Sequence, residues 1–345
     1  MAQVLSLGEV TEDIQKALGR SFQSGNINFL IGSGASMPAI PAAGPVEQEI
    51  ATLFGAGNEE TARLRMYEFL AGIQEPMNAL INEDENDQIA ATLAQYTECI
   101  TLIETILSER RTTLLPKQAT IFTTNYDLLI EKASIGCPAI KLNDGFTRVP
   151  RLDNRIEYSS RNFFNTTYNT GNLYNYKVEI PCINLIKLHG SLSWQKDGDE
   201  IVFNVAAKDL LPESKTADEI AEFIETFAVV LPQTAKFRTT LMDRTYYELL
   251  RIYANELDRE NTLLVTFGFS FGDEHIRDIT RRALKNPTLR LIAFAYSEAD
   301  KDAFAEIFAG HNNVDVIAPT DGDNIEFSQF NTMLRNLLPH GGAAI

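Results

Sequence analysis

Four short polar motifs, each placed directly after an apolar run, contain the side chains best suited to chemistry. The first is Gly32-Ser33-Gly34-Ala35-Ser36, which follows the apolar run at 27–31. Glycines after a strand permit a tight turn and a close approach of backbone N–H groups to phosphate oxygens, although a plain strand-to-helix turn explains them equally well. The dinucleotide pattern G-x-G-x-x-G fails at Met37 and the phosphate-loop lysine is absent, which disfavours a standard dehydrogenase and a standard ATPase.

The second motif is Thr123-Thr124-Asn125-Tyr126-Asp127, which follows the run ATIFT at 119–123. Doubly wound sheets place ligand-binding groups at the carboxyl ends of their strands. Helix capping accounts for one of these polar residues. It does not account for an asparagine and an aspartate two positions apart at the mouth of a sheet.

The third motif is His189-Gly190-Ser191, which follows the run INLIKL at 183–188. The chain has four histidines, at positions 189, 275, 311 and 340, and only His189 follows a core strand and precedes a glycine. A histidine more often has a structural role. At a strand end, however, it can face an open cleft, as a general base must.

The fourth motif runs from Gly268 to His275 and follows the run TLLVTF at 262–267. Gly268 and Ser270 could line a nucleotide ribose. Asp273 is expected to be the N-cap of the next helix rather than a catalytic group. His275 would then lie in the first turn of that helix, with a structural role.

The four motifs require strands that alternate with helices. Apolar runs predict the strands at 27–31, 119–123, 183–188, 262–267, 289–295 and 314–317. Helical patterns lie at 126–134, 273–285, 298–309 and 326–338. This alternation predicts an α/β fold with a Rossmann-like, doubly wound and mostly parallel sheet.

Two stretches interrupt the alternation. Residues 45–118 have apolar side chains at helical spacing and carry about half of the net charge of −17, so we interpret them as a helical insertion. Residues 143–182 are rich in Asn, Tyr, Phe and Arg, which indicates loops and short strands. We expect residues 1–345 to form a single domain that contains both insertions.

Composition limits the partners of the chain. A net charge of −17 repels phosphate backbones, so direct binding of nucleic acid is disfavoured. No apolar run is long enough to span a bilayer and the N-terminus lacks the features of a secretory signal, so we expect a cytosolic protein without membrane contact. Cys99, Cys137 and Cys182 are too dispersed for a zinc site and are expected to be buried as small hydrophobic residues.

In their order along the chain, the four motifs resemble those of the sirtuin-like superfamily. G-S-G-A-S resembles the G-A-G-x-S nucleotide loop, T-T-N-Y-D resembles T-Q-N-x-D, and K-L-H-G matches the catalytic His-Gly pair. G-F-S-F-G-D-E-H-I is similar to the C-terminal segment of bacterial sirtuin-like defence proteins. The resemblance spans about residues 25–320.

The chain departs from the protein deacylases of this superfamily at two places. No four-cysteine zinc ribbon follows the His-Gly motif, and the segment 37–43 (MPAIPAA) replaces the deacylase sequence P-D-F-R. These departures disfavour binding of an acyl-lysine peptide and leave NAD binding intact.

The resemblance implies an NAD hydrolase of antiviral defence, which releases nicotinamide and ADP-ribose without a metal. It implies catalytic roles for Asn125, Asp127 and His189. It implies NAD contacts at Gly32, Ser33, Gly34, Ala35, Ser36, Thr124, Gly268 and Ser270. Three alternatives stay open: a protein deacylase, a sensor that binds NAD or ADP-ribose without turnover, and a scaffold that binds neither.

The chain also resembles the stand-alone sirtuin-like subunit that works beside a HerA-type hexameric ATPase. The resemblance therefore implies a homo-oligomer that docks onto such an ATPase. Either the insertion at 45–118 or the aromatic-rich segment at 143–182 could supply the contact surface, and a solvated acidic face is the alternative for the former.

Overall fold

The computed structural model describes residues 2–9, 12–42, 44–110, 114–171, 176–198, 200–230, 240–320 and 322–338. Small parts of both predicted insertions, at 111–113 and 172–175, lie outside these residues. So do His340 and the rest of the segment 339–345.

Twelve strands and ten helices make up the described part of the chain. The strands are β1 (Gln3–Ser6), β2 (Asn26–Ile31), β3 (Gln118–Thr123), β4 (Lys141–Asn143), β5 (Tyr168–Asn169), β6 (Val178–Glu179), β7 (Cys182–Lys187), β8 (Trp194–Asp197), β9 (Glu200–Phe203), β10 (Thr262–Phe267), β11 (Arg290–Phe294) and β12 (Val314–Ala318). The helices are α1 (Glu12–Ser24), α2 (Gly44–Gly55), α3 (Glu59–Asn82), α4 (Asp87–Ser108), α5 (Leu129–Ile135), α6 (Ala217–Glu225), α7 (Thr240–Asp258), α8 (Glu274–Ala283), α9 (Glu298–Ile307) and α10 (Phe327–Asn336).

Eight strands form one parallel sheet in the order β1-β12-β11-β10-β2-β3-β7-β4. The chain runs outward from β2 through β3 to β7, then returns to β10 and runs through β11 to β12 on the other side. This is the strand order of a doubly wound Rossmann-like fold, and its direction reverses between β2 and β10. The sheet confirms the fold class that the sequence predicted.

The central strands are buried on both faces. All six residues of β7 and all six of β10 are buried, as parallel strands covered by helices on both sides must be. This is why they read as continuous apolar runs in the sequence. Strand β1 has the pattern exposed, exposed, half-buried, half-buried and lies at the sheet edge, so it gave no such signal.

The four predicted helices are present as α5, α8, α9 and α10. The first begins at Leu129 rather than at residue 126, because the Asp127 side chain accepts a hydrogen bond from the Leu129 N–H (3.1 Å) and holds a turn there. Asp273 caps α8 through the Ile276 N–H (3.1 Å), which confirms its predicted role as an N-cap. Sequence analysis missed α1, α6, α7 and the β8–β9 hairpin.

Three helices, α2, α3 and α4, occupy residues 44–108, within the predicted helical insertion. Helix α4 packs against α5 and α10. The Asn331 side chain of α10 donates to the Gln95 carbonyl oxygen of α4 (3.0 Å), and Arg335 pairs with Glu98. The insertion is thus fixed to the helices that cover the sheet.

The three cysteines are free thiols and are buried, as the sequence predicted. Burial raises the pKa of Cys99 to about 12 and that of Cys182 to about 11. Both thiols therefore stay protonated at neutral pH. In the described ranges, no helix is long and apolar enough to cross a membrane.

The loops after β2 and β10 meet where the strand order reverses. The Gly32 N–H donates to the Phe267 carbonyl oxygen (3.0 Å) and the Gly34 N–H donates to that of Gly268 (2.9 Å). A Cβ atom on Gly32 would lie 2.4 Å from the Gly268 oxygen, and one on Gly268 would lie 2.4 Å from the Ala35 nitrogen. Glycine is required at both positions because the two backbones touch.

We expect Gly268→Ala to destabilise the protein more than Gly310→Ala. Both glycines have a left-handed φ, +65° and +91°, but only a Cβ at position 268 would meet backbone atoms. The strain of roughly 1–2 kcal/mol for a left-handed residue applies to both variants. The clash should add about 1–3 kcal/mol at position 268, as measured by urea unfolding. Equal losses in the two variants would show that the loop contact is not tight.

Candidate active site

Ser36 lies at the centre of a buried group of polar side chains. It ends the short helical turn Ser33–Ser36 that follows β2, and it is fully buried. Its hydroxyl lies 2.7 Å from Asp127 Oδ2, 3.0 Å from Asn125 Nδ2 and 2.9 Å from the Tyr96 hydroxyl. The first and second predicted motifs therefore meet at this side chain.

The direction of each hydrogen bond at Ser36 follows from its single proton. The carboxylate of Asp127 can only accept, so the Ser36 hydroxyl donates to it. The Asn125 amide and the Tyr96 hydroxyl must then donate to the two lone pairs of Ser36. Burial, and then the charge of Asp127, hold the pKa of Tyr96 well above its usual value, so the phenol keeps the proton that it donates.

Both carboxylate oxygens of Asp127 are bound by the protein itself. Oδ1 accepts from the Leu129 N–H and Oδ2 from Ser36. The backbone carbonyl of Asp127 accepts from the Lys187 ammonium, which also lies 3.0 Å from Glu131. Burial raises the pKa of Glu131, and the charge of Lys187 opposes that rise. Asp127 is therefore placed to hold the site in shape.

Asn125 has one donor group engaged and one acceptor without a partner. Its Nδ2 donates to the Gly32 carbonyl oxygen (3.1 Å) and to Ser36, whereas its Oδ1 is buried and has no hydrogen-bond partner among the described residues. An unsatisfied buried carbonyl oxygen is costly, and its presence needs an explanation. A hydroxyl or a water molecule from a ligand would satisfy it.

A small cavity adjoins Asn125. It is lined by Ser33, Ser36, Ile40, Pro41, Ile73, Thr124, Asn125, Tyr126 and Asp127. Its volume of about 10 Å³ gives space for no more than about one water molecule. Small-molecule sites measure roughly 300–1,000 Å³. A dinucleotide can therefore reach Asn125 through this cavity only after the surrounding loops separate.

His189 follows strand β7, which lies next to β3 in the sheet, and the residue is 7% exposed. Its ring lies between those of Tyr126 and Tyr246, at centroid distances of 6.4 Å and 5.8 Å. Nε2 is 3.0 Å from Asp273 Oδ2, although the ring N–H and the carboxylate are not aligned as in a well-directed hydrogen bond. Nδ1 has no hydrogen-bond partner among the described residues.

The pKa of Asp273 depends on its contact with His189. Burial raises the pKa of the Asp273 carboxyl, whereas hydrogen bonding and charge interaction with His189 lower it. The net shift of this pKa is downward. Asp273 is therefore a carboxylate at neutral pH, and its two oxygens have different neighbours: Oδ1 caps α8 and Oδ2 faces His189.

The structure brings some of the predicted site residues together and separates others. Ser33, Ser36, Thr124, Asn125 and Asp127 surround one cavity. No hydrogen bond or ion pair within the described ranges joins His189 to Asn125, and the ring of Tyr126, in the second motif, lies 6.4 Å from that of His189. Ala35 is buried against Gly268, and Ser270 is exposed, with its hydroxyl accepting from the Gly272 N–H (3.3 Å).

Three residues of the site were missed or given a lesser role in the sequence. Lys187 had a signal, because a lysine inside an apolar strand needs a buried partner. Asp273 was recognised only as a cap. Tyr96 had no local signal, since its contact with Ser36 joins residues 60 positions apart. Over the described ranges, no group of three or more His, Cys, Asp or Glu side chains is arranged to hold a metal ion.

A family model described as a SIR2-like domain matches residues 119–317, more than half of the chain. The chain belongs to the SIR2-like family. The matched region contains the motifs after β3, β7 and β10 but not the glycine loop after β2. No curated protein matches the chain. SIR2-like domains bind NAD, and membership of this family is consistent with an NAD-using enzyme.

In this SIR2-like protein, Ser36→Ala should cost more stability than Tyr96→Phe. Loss of the serine hydroxyl leaves Asp127, Asn125 and Tyr96 each short of a buried partner, whereas loss of the tyrosine hydroxyl leaves only one lone pair of Ser36 unused. We expect about 1–3 kcal/mol for the first and about 0.5–1.5 kcal/mol for the second, measured by chemical unfolding. Ser24→Ala, at an exposed helix position, is the control. A Ser36→Ala variant as stable as this control would contradict the network.

Proposed function

We propose that the protein is an NAD hydrolase. In the reaction the bond between the ribose C1′ and the nicotinamide nitrogen breaks, and its electron pair neutralises the pyridinium ring. A water oxygen bonds to C1′ and the water gives up one proton, so that NAD and water yield nicotinamide, ADP-ribose and a proton. The transition state resembles an oxocarbenium ion, as in glycoside cleavage.

One observation carries this proposal. Asn125 Oδ1 and His189 Nδ1 are buried polar atoms that have no hydrogen-bond partner among the described residues, and both residues follow neighbouring strands at the carboxyl edge of the sheet. Doubly wound folds bind their ligands at this edge. The resemblance to sirtuin-like motifs implies catalytic roles for the same two residues, which supports the proposal.

Each residue has a distinct role in the proposal. Asn125 Oδ1 accepts a hydrogen bond from the attacking water or from a ribose hydroxyl. His189 accepts the proton, which contributes on the order of 10²–10⁴-fold in rate. Asp127 acts through Ser36 as a positioning residue, because both of its oxygens are engaged. The N–H groups of Gly32 and Gly34 already donate to the backbone after β10, so they are not available to the diphosphate as the sequence suggested. In the proposal the diphosphate lies beside this loop, near the hydroxyls of Ser33 and Thr124.

We expect Asn125→Ala and His189→Ala each to abolish NAD cleavage without unfolding the protein. Nicotinamide and ADP-ribose are followed by chromatography, and folding is followed by thermal denaturation. Asn82→Ala and His311→Ala remove the same side-chain types far from the cavity and should keep wild-type turnover. Near wild-type turnover in both site variants would overturn the assignment.

The same assay, together with calorimetry, separates the proposal from two of the three alternatives, the sensor and the deacylase. A sensor would bind NAD in calorimetry but release no nicotinamide under any condition. A deacylase would release nicotinamide only when an acetylated lysine peptide is added, with one acetyl group removed per nicotinamide. The proposal requires release without a peptide and no detectable deacetylation.

We further propose that the enzyme acts in antiviral defence as a homo-oligomer bound to a HerA-type ring ATPase. An open, largely apolar groove of about 660 Å³ on the outer face of α4 supports a contact there. It is lined by Ala90, Leu93, Ala94, Thr97, Glu98, Thr101, Leu102 and Arg335.

Mass measurement of the protein, alone and co-expressed with the ATPase, tests this proposal. We expect masses above the 38.5 kDa of one chain and co-purification of the two proteins. Leu93→Glu should abolish co-purification. Leu152→Glu, at a fully exposed position of the aromatic-rich segment, should not. The reverse result would assign the contact to the segment at 143–182, and an active monomer that binds no ATPase would refute the proposal.

A further inference from the structure

Asp273 is placed by its own helix to face His189. It follows β10 and precedes α8, and its Oδ1 accepts from the Ile276 N–H, which fixes the carboxylate at the start of the helix. The helix is held in turn, because Ile276 is fully buried and the Thr280 hydroxyl pairs with that of Tyr253 (2.8 Å). The remaining oxygen, Oδ2, lies 3.0 Å from His189 Nε2.

Asp273 is the one carboxylate within 4 Å of His189 in the described part of the chain. Lys187, two residues before the histidine, is engaged by Glu131 and the Asp127 carbonyl. The other neighbours of the ring are the uncharged phenols of Tyr126 and Tyr246, and exposed His275 lies beyond Tyr246. Among the described residues, the charged group nearest to the His189 ring is therefore the carboxylate of Asp273.

We propose that Asp273 is a positioning residue that orients His189 and stabilises its protonated form. This inference rests on the proposed NAD hydrolysis. The carboxylate selects the tautomer with hydrogen on Nε2, which leaves the Nδ1 lone pair to take the proton of the attacking water. The resulting imidazolium then lies beside the carboxylate until the proton passes to solvent. Similar carboxylate–histidine pairs orient general bases in hydrolases.

Helix capping alone would explain the same aspartate, and Asp273→Asn separates the two roles. Asparagine caps helices about as well as aspartate, so the variant should unfold at the wild-type temperature. It removes the negative charge that faces His189. We expect kcat to fall on the order of 10²-fold or more with little change in KM. Asp273→Ser also keeps a capping oxygen and should show the same fall in kcat. This variant serves for the test if Asp273→Asn does not fold.

The pH profile supplies a readout that a capping role would not move. Activity requires neutral His189, and the Asp273 carboxylate favours the charged ring. Removal of the carboxylate should therefore move the acid limb of kcat to lower pH. Ser297→Ala, which removes the cap of α9 far from His189, should leave the limb and kcat unchanged.

An NMR titration of the histidine rings makes the inference independent of turnover. With four histidines in the chain, His189→Gln assigns the relevant signal. We expect that signal to titrate at lower pH in Asp273→Asn than in the wild type. If this shift occurs but no nicotinamide is released, the proposed function fails and the pairing stands. If nicotinamide is released while the titration and the pH profile are unchanged in Asp273→Asn, the inference is wrong.

Discussion

Backbone contact between the loops after β2 and β10 fixes the polar groups of the candidate site. The loops approach so closely that neither Gly32 nor Gly268 has space for a Cβ atom. The first loop continues to Ser36 and the second continues to Asp273. A doubly wound sheet creates this meeting point because its strand order reverses there. The chemistry of the site thus depends on a contact between backbone atoms of the two loops.

Sequence patterns predicted the sheet well because its central strands are buried on both faces, and the four motifs were found because they follow those strands. Contacts made across the fold were not predictable. The hydroxyl of Tyr96 reaches Ser36 from an inserted helix, and Asp273 reaches His189 from another strand. The local sequence indicates that Asp273 caps a helix, but it does not indicate that the same carboxylate faces His189. Edge strand β1 gave no apolar run, since it is only partly buried.

The two halves of the site differ in how completely their polar groups are satisfied. Around Ser36 every proton has an acceptor, and such a network is rigid because breaking it in a low-dielectric interior is costly. By contrast, Asn125 Oδ1 and His189 Nδ1 have no hydrogen-bond partner among the described residues. A cavity of about 10 Å³ beside Asn125 requires loop movement before a dinucleotide can enter. A rigid hydrogen-bond network therefore lies beside a cavity that must widen before the ligand can bind.

The central claim is that water attacks the ribose carbon of NAD within this site. Incubation of the purified protein with NAD in water enriched in heavy oxygen tests it, with mass spectrometry of products quenched at early times, before the hemiacetal oxygen of ADP-ribose exchanges with solvent. The account predicts free nicotinamide and ADP-ribose that carries one labelled oxygen. Absence of nicotinamide release with the protein alone and with a co-expressed HerA-type ATPase, or a product without the label, would contradict it.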